Sequence, residues 1–307
     1  MSKILITAAG TGAAFSYATA IAKNFPKLEV YTADTNLPEY TTSSLFSKKH
    51  FKVPLSSSKD YEAKLENIIK NENIDFYLPL LDLEIYKAHE FEFLKTKLIA
   101  NDSDFCKACI EKDHYHIWAN KKDIKTPLLL DESQLNNYNL FVLKKNGGFG
   151  SRDTEIISLT DILELNLADH TVYEHITGEE FTIDCFPTNE KVVTTVRERI
   201  EVKNGVSVKA KIAKNDYLNE IATKIVTLFD LTHPFCFQVI KKEDNYYLID
   251  LNPRLGGGTA MSAAAGCDYF SAHIALILDQ DPKEYLLETY DSCIVTRQYA
   301  NYLMKVL

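Results

Sequence analysis

Residues 245–254 read Asn245-Tyr246-Tyr247-Leu248-Ile249-Asp250-Leu251-Asn252-Pro253-Arg254. Side chains of a β-strand alternate between its faces, so Asp250 and Asn252 share one face. The preceding stretch, near 234–241, is a second strand in which Phe235, Phe237 and Val239 alternate. Those three form a core-facing set, with Tyr247, Ile249 and Leu251 as their counterparts. Gln238, Asp250 and Asn252 are then left together on the other face, half covered by Ile240 and Leu248. The pairing carries a condition. Gln238 meets Asp250 only across an odd-numbered hairpin loop, such as Glu243 to Asn245, because a one-residue slip moves a side chain to the opposite face. Three oxygen-donor side chains on one face suit Mg²⁺, which takes hard oxygen ligands and substrate phosphates. A solvated polar face is the plain alternative, and the apolar neighbours argue against it.

Downstream, Arg254 precedes Gly256-Gly257-Gly258 and a helix rich in small residues from about Thr259 to Leu278. An arginine there can clamp a carboxylate or a transferring phosphoryl group. The glycines permit close approach to an anion in front of a helix N-terminus. Far upstream, strand 140–144 delivers Lys144 into the Gly-rich run Asn146-Gly147-Gly148-Phe149-Gly150-Ser151-Arg152. Glycines let backbone N–H groups approach phosphate oxygens and let a loop close as a lid. The lysine adds a point charge, and it precedes the glycines, so this is not a Walker A sequence. A mobile hairpin turn would read the same way. Between these motifs, Glu174-His175-Ile176 ends strand 171–176, and Gly178 breaks it before Glu180. On spacing alone that segment is an ordinary strand and turn.

The first hundred residues have a different rhythm. Residues 3–7 and 28–33 are strands around an Ala-rich helix that ends near Asn24 before Pro26. Tyr61, Leu65, Ile68 and Ile69 form one helical stripe, and 74–80 returns to strand. Alternating strand and helix implies a parallel sheet with helices on its faces. The turn after the first strand holds Gly10 and Gly12, but Phe15 stands where a dinucleotide fingerprint has its third glycine, so a nicotinamide cofactor is not expected. Residues 103–120 read as one helix capped by Ser103. Ser158 with Asp161 caps a short helix. Strands at 180–186, 191–201 and 206–213 and a helix at 217–229 complete the pattern.

Composition sets the outer bounds. The chain has 307 residues, enough for about two domains. It carries 34 Lys and Arg against 43 Asp and Glu, a net charge of −9, which disfavours a nucleic-acid partner. No apolar run reaches the ~18–20 residues that span a bilayer, and the N-terminus lacks a signal peptide's apolar core, so a cytoplasmic protein without a membrane partner is expected. The six cysteines are scattered, and Cys106 and Cys109 read as two small apolar residues on one helical face.

Taken in order, these motifs resemble the ATP-grasp superfamily, and within it the carbamoyl-phosphate-synthetase-like carboxylate–amine ligases. The likeness covers essentially the whole chain, and its most specific part is Asp250 to Arg254 with Gln238 upstream. It implies an α/β fold: a Rossmann-like pre-ATP-grasp domain (1–100), then a two-subdomain α+β ATP-grasp domain (101–307). The lid subdomain would span about 112–174 and the C-terminal subdomain about 175–307. By the same likeness, Lys112 and Lys144 are the phosphate-binding lysines, and Gly147, Gly148, Gly150 and Ser151 belong to the phosphate lid. Glu174, His175 and Ile176 form the adenine hinge, and Glu180 is the ribose ligand. Gln238, Asp250 and Asn252 hold two Mg²⁺ ions, with Mn²⁺ as a substitute. Arg254 steadies an acyl-phosphate, and Arg152 and Arg199 face the substrate with it. Asp250 stands where the family commonly has glutamate, and Glu111 where it has aspartate. The implied reaction is ATP-dependent joining of a small carboxylic acid to an amine, with release of ADP and phosphate, by a possible homodimer. Phosphorylation of bicarbonate or carbamate, and a non-catalytic ATP-binding role, are the alternatives.

Overall fold

The computed structural model describes residues 1–94, 97–111, 115–145, 154–203, 205–287 and 290–306. Three sheets organise the described chain. The first is parallel, with order β3-β2-β1-β4, built from β1 (Lys3–Ile6), β2 (Glu29–Asp34), β3 (Lys49–Lys52) and β4 (Phe76–Leu78). Its inner strand β1 and its neighbour β4 are mostly apolar because helices cover both faces, whereas the edge strand β3 is polar. On one face lies α1 (Gly12–Asn24), which Thr11 caps by accepting from the Ala14 N–H at 3.2 Å. On the other lies α2 (Tyr61–Glu72), whose Leu65, Ile68 and Ile69 pack on Leu5 and Tyr31.

A short helix, α3 (Asp82–Ala88), follows β4. The span read as one helix over 103–120 is divided. Its described parts are α4 (Ser103–Ile110) and α5 (Tyr115–Asn120), and the cap is Asp102, not Ser103, because the Asp102 carboxylate accepts from the Asp104 N–H. Cys106 and Cys109 are buried on α4, and no disulfide joins any of the six cysteines.

The second sheet is a three-stranded antiparallel ribbon, β6-β5-β7, from β5 (Leu140–Lys145), β6 (Thr154–Ser158) and β7 (His170–Glu174). Ser158 caps the short helix α6 (Leu159–Ile162), as the sequence indicated. The third sheet has six strands in the order β12-β11-β8-β9-β10-β13. They are β8 (Glu179–Pro187), β9 (Val192–Lys203), β10 (Val206–Ala213), β11 (Phe235–Lys242), β12 (Asn245–Asn252) and β13 (Ser292–Thr296). Helix α7 (Asp216–Phe229) packs Leu218, Ile221 and Ile225 beneath this sheet against Phe235, Phe237 and Val239.

The helix expected from Thr259 to Leu278 is two helices, α8 (Ala260–Ala264) and α9 (Tyr269–Ile277). Gly266 adopts φ 105°, a conformation that ends α8, and Asp268 restarts the chain by capping the Ser271 N–H. Helix α9 then leaves the large sheet and packs on α1. One core therefore joins Ile4, Tyr17 and Ile21 of the first unit to Leu255, Tyr269, Phe270 and Ile274.

Candidate active site

The hairpin of β11 and β12 decides the site, and it differs from its expected form. The turn holds two residues, Glu243 and Asp244, between paired Lys242 and Asn245. An even loop alone would separate Gln238 from Asp250. A β-bulge restores the match: Val239 pairs with Leu248, Gln238 pairs with Asp250, and Ile249 is the extra residue. The core set changes accordingly. Leu248 and Leu251 are buried beside Val239, whereas Ile249 turns to the cavity with Asp250. The expected core role of Ile249 and cavity role of Leu248 are thus exchanged.

The bulge also releases a backbone acceptor. Lys144 Nζ donates to the Ile249 carbonyl at 2.9 Å and lies 5.1 Å from the centre of the Tyr173 ring. The ribbon's lysine is in this way held over the carboxylate strand. Asn252 Nδ2 donates to Asp250 Oδ2 at 2.9 Å, and Gln238 Oε1 accepts from Arg199 Nη1 at 3.3 Å. Among the described residues no group of three His, Cys, Asp or Glu is gathered for a metal. The donor set here is one carboxylate and two amides. That set fits a hard cation that draws most of its oxygen ligands from phosphates, provided the cation shares Gln238 with Arg199.

These groups line a cavity of about 650 Å³ between the ribbon, the large sheet and the first unit. One end is apolar, with Val142, Ile156, Tyr173, Ile176 and Ile240. Glu174, His175 and Ile176 border it, and the Glu174 carboxylate accepts from the Leu128 N–H at 2.9 Å. Gly178 follows against the neighbouring strand. A Cβ there would lie 1.9 Å from the Lys241 carbonyl oxygen, so only glycine fits. Glu180 comes next, exposed and paired with Arg199 Nη1 at 2.9 Å. Lys112, Gly147, Gly148, Gly150, Ser151 and Arg152, expected from the sequence at the phosphates and the substrate, lie outside the described residues.

The other end is rich in arginine. Arg197 is 1% exposed and grips buried Asp184 through Nε and Nη2, both at 2.8 Å. Thr259 and Ser262 add hydroxyl donors to the same carboxylate at 2.8 and 2.6 Å. Burial, the largest single effect, pushes the Arg197 guanidinium down; the charge and hydrogen bonds of Asp184, with smaller contributions from Cys236 and Tyr269, together outweigh it and hold Arg197 above its ordinary range. Arg199 falls below its ordinary range, chiefly from burial, which Glu180 only partly offsets. Arg254 Nε stands 2.8 Å from Asp82 Oδ1 without an aligned hydrogen bond, and both atoms keep unused hydrogen-bonding capacity among the described residues. Here too burial is the largest single effect, and Asp82, Cys236 and Asp250 together outweigh it and hold Arg254 above its ordinary range. The turn at Thr11 and Gly12 forms the far wall. A Cβ on Gly12 would lie 3.8 Å from the Gly257 Cα, so two glycine turns meet there.

Asp82, Asp184 and Arg197 were not singled out from the sequence. Their partners are 172, 13 and 75 or more positions apart or hidden in strand alternation, and no local spacing marks them. Gly10 was weighed for a dinucleotide. Its N–H is already taken by Asp34 Oδ2 at 2.7 Å, and Asn36 occupies the other oxygen of that carboxylate.

Comparison with known proteins follows the same lines. The family model described as "ATP-grasp in the biosynthetic pathway with Ter operon" matches residues 166–298. Tyramine–L-glutamate ligase of Methanocaldococcus fervens is 26% identical over 216 residues, an alignment spanning 66% of this chain and 66% of that protein. Among solved structures, carboxyaminoimidazole ribonucleotide synthase from Aspergillus clavatus, complexed with ATP, superposes with a TM-score of 0.75 at 17% identity. It covers 95% of this chain and 81% of its own. L-amino acid ligase from Bacillus licheniformis gives 0.69 at 12% identity, over 93% and 76%. The chain spans just under two thirds of the curated relative's length, and the structural likenesses show the fold.

Proposed function

We propose, from the premise that this chain has the ATP-grasp architecture of carboxylate–amine ligases, that it joins an amino acid or similar small acid to an amine at the expense of ATP. The observation that carries this reading is the bulged hairpin, which puts Gln238, Asp250 and Asn252 on one cavity wall with Lys144 held against it. The relative's substrates, tyramine and L-glutamate, indicate the class to test first.

In this reading the apolar end takes the adenine beside Glu174 to Ile176, and Glu180 takes the ribose. Lys144, with Lys112 and the run 147–151, would meet the phosphates. Two Mg²⁺ ions, replaceable by Mn²⁺, would be shared between the phosphates and the residues Gln238, Asp250 and Asn252, and would supply charge neutralisation. The acid's carboxylate oxygen attacks the γ-phosphorus, and the bond to the bridging oxygen breaks as ADP leaves. The amine nitrogen then attacks the acyl carbon and loses a proton as phosphate departs. Arg254 would hold the oxygens that gain charge in both steps, with Arg152 and Arg199 on the substrate side. The domain limits 1–100 and 101–307, and a homodimer, belong to the same proposal. No helix among the described residues is long and apolar enough to cross a membrane.

The test is ADP formation with Mg²⁺ over a panel of amino acids and small acids, each with and without amines, and mass spectrometry of the product. An amide from one acid–amine pair is expected, and Asp250→Ala is expected to lower its formation at least ~1,000-fold with the thermal midpoint kept. Full turnover by a folded Asp250→Ala protein would remove the metal assignment.

A further inference from the structure

Two arginines of the cavity wall, Arg197 and Arg254, are held in different ways. Arg197 is fixed by bonds from Nε and Nη2 to Asp184, which Thr259 and Ser262 hold in turn. Arg254 has no such clamp. Among the described residues its guanidinium meets one carboxylate, with Nε 2.8 Å from Asp82 Oδ1, and one carbonyl, that of the adjoining Leu255, 3.4 Å from Nη1. Nη2 makes no bond there. Asp82 reaches the arginine from the first unit. It opens α3 directly after Leu80 and Leu81, which line the cavity, and it is 8% exposed. Asp82 itself is not in the cavity wall, whereas Arg254 is, so its carboxylate can act on a ligand only through the arginine.

A carboxylate at Nε leaves the edge formed by Nη1 and Nη2 for oxygens in the cavity, and a guanidinium matches two oxygens only when its plane is set. The Asp82 contact is close but unaligned, and both atoms are buried with hydrogen-bonding capacity to spare. Buried polar atoms left in that condition are costly, and hydrogen bonds that serve catalysis commonly tighten only when substrate is bound. We propose that Asp82 is the positioning residue of Arg254: from the first unit it sets the charge and plane of the guanidinium, so that the Nη edge faces the oxygens that gain charge during acyl transfer. This rests on the ligase reading of the same cavity. The first unit is then part of the catalytic apparatus, and its seat against the large sheet governs the chemical step and not the affinity for ATP.

An acidic residue in the first turn of a helix also favours that helix, so the test reads kinetics beside stability. The full chain is assayed for amide formation with the acid–amine pair that the product screen identifies. Asp82→Asn keeps the shape of the side chain and removes its charge. Its kcat should fall about 10- to 100-fold, with the KM for ATP within about twofold of the wild type and the thermal midpoint within a few degrees. Asp82→Glu should recover part of the loss, because the charge returns on a longer arm. The Asn exchange is then repeated in an Arg254→Ala background, where it should cost less than about twofold more, since nothing is left to position. Should Asp82→Asn not fold, Asp82→Ser, which also lacks the charge, takes its place in both backgrounds. Equal losses with and without Arg254 would make Asp82 a structural residue and overturn the proposal, and so would an unchanged kcat. Failure of the ligase reading has a separate signature: the wild type forms no ADP with any acid and amine. Calorimetric binding of inorganic phosphate to the chain loaded with ADP and Mg²⁺ then reads Arg254 directly. Asp82→Asn should weaken it about tenfold, and equal behaviour of the two proteins would overturn the proposal.

Discussion

Asp184 shows how far a single carboxylate can organise this molecule. It is fully buried, and four donors converge on its two oxygens, two from Arg197 and one each from Thr259 and Ser262. It thereby ties the middle of the large sheet to the turn after Arg254. Such a pair adds little against an apolar replacement, but breaking it strands a charge. Asp184→Asn is therefore expected to cost about 3–5 kcal/mol, read from urea unfolding. A double variant, Asp184→Leu with Arg197→Met, is expected to lose less than the single one; a larger loss would mean the ion pair itself is the stabilising element. At this scale the sequence was legible for part of the local chemistry. Asp250 and Asn252 share a face because they are two apart, and Ser158 caps the helix that begins just after it, whereas the cap expected at Ser103 is its neighbour Asp102. Asp82 was silent, since its meaning depends on Arg254, 172 positions later.

Among the elements, the β11–β12 hairpin is where sequence reasoning reached the right pairing by the wrong route. Alternation assumes a regular ladder, and a bulge is invisible to it. Read without Ile249, the strand alternates perfectly: Leu248 inward, Asp250 outward, Leu251 inward, Asn252 outward. The additional residue leaves the core and the donor set in place and exposes a carbonyl to Lys144. Deleting Ile249 should thus give a folded protein that still presents Asp250 beside Gln238. Its KM for ATP is expected to rise about tenfold, because Lys144 loses the acceptor that holds it. A deletion variant with unchanged KM would show that the bulge does not position the lysine. Strand β13 escaped notice because it is short and its apolar residues, Cys293-Ile294-Val295, are consecutive and do not alternate with polar ones, with Ile294 left exposed at the edge of the sheet.

For the whole molecule, the seam between the first unit and the large sheet matters most. Along it Tyr17 OH lies 2.6 Å from His273 Nδ1, and His273 Nε2 lies 3.1 Å from His233 Nδ1. Burial pushes His233 down to about 4 and His273 well below its ordinary value, with each histidine's neighbour adding to the effect at His273. Both are neutral in the folded chain, whereas the unfolded chain takes up protons below about pH 6.5. Stability from these groups is complete above that pH and is lost as the pH falls from about 6.5 toward 4. The thermal midpoint should drop over this window, and a His233→Asn, His273→Asn protein should show a shallower slope; equal slopes would assign the acid sensitivity to carboxylates elsewhere. A different consequence follows from the cysteines. Five are buried, and burial lifts the thiols of Cys106 and Cys236 to about 12, which leaves them inert to alkylating reagents at neutral pH. Cys293 alone is partly exposed, on the edge strand β13. The native chain therefore carries a single built-in attachment point for a fluorophore on the rim of its largest sheet, without any engineered mutation.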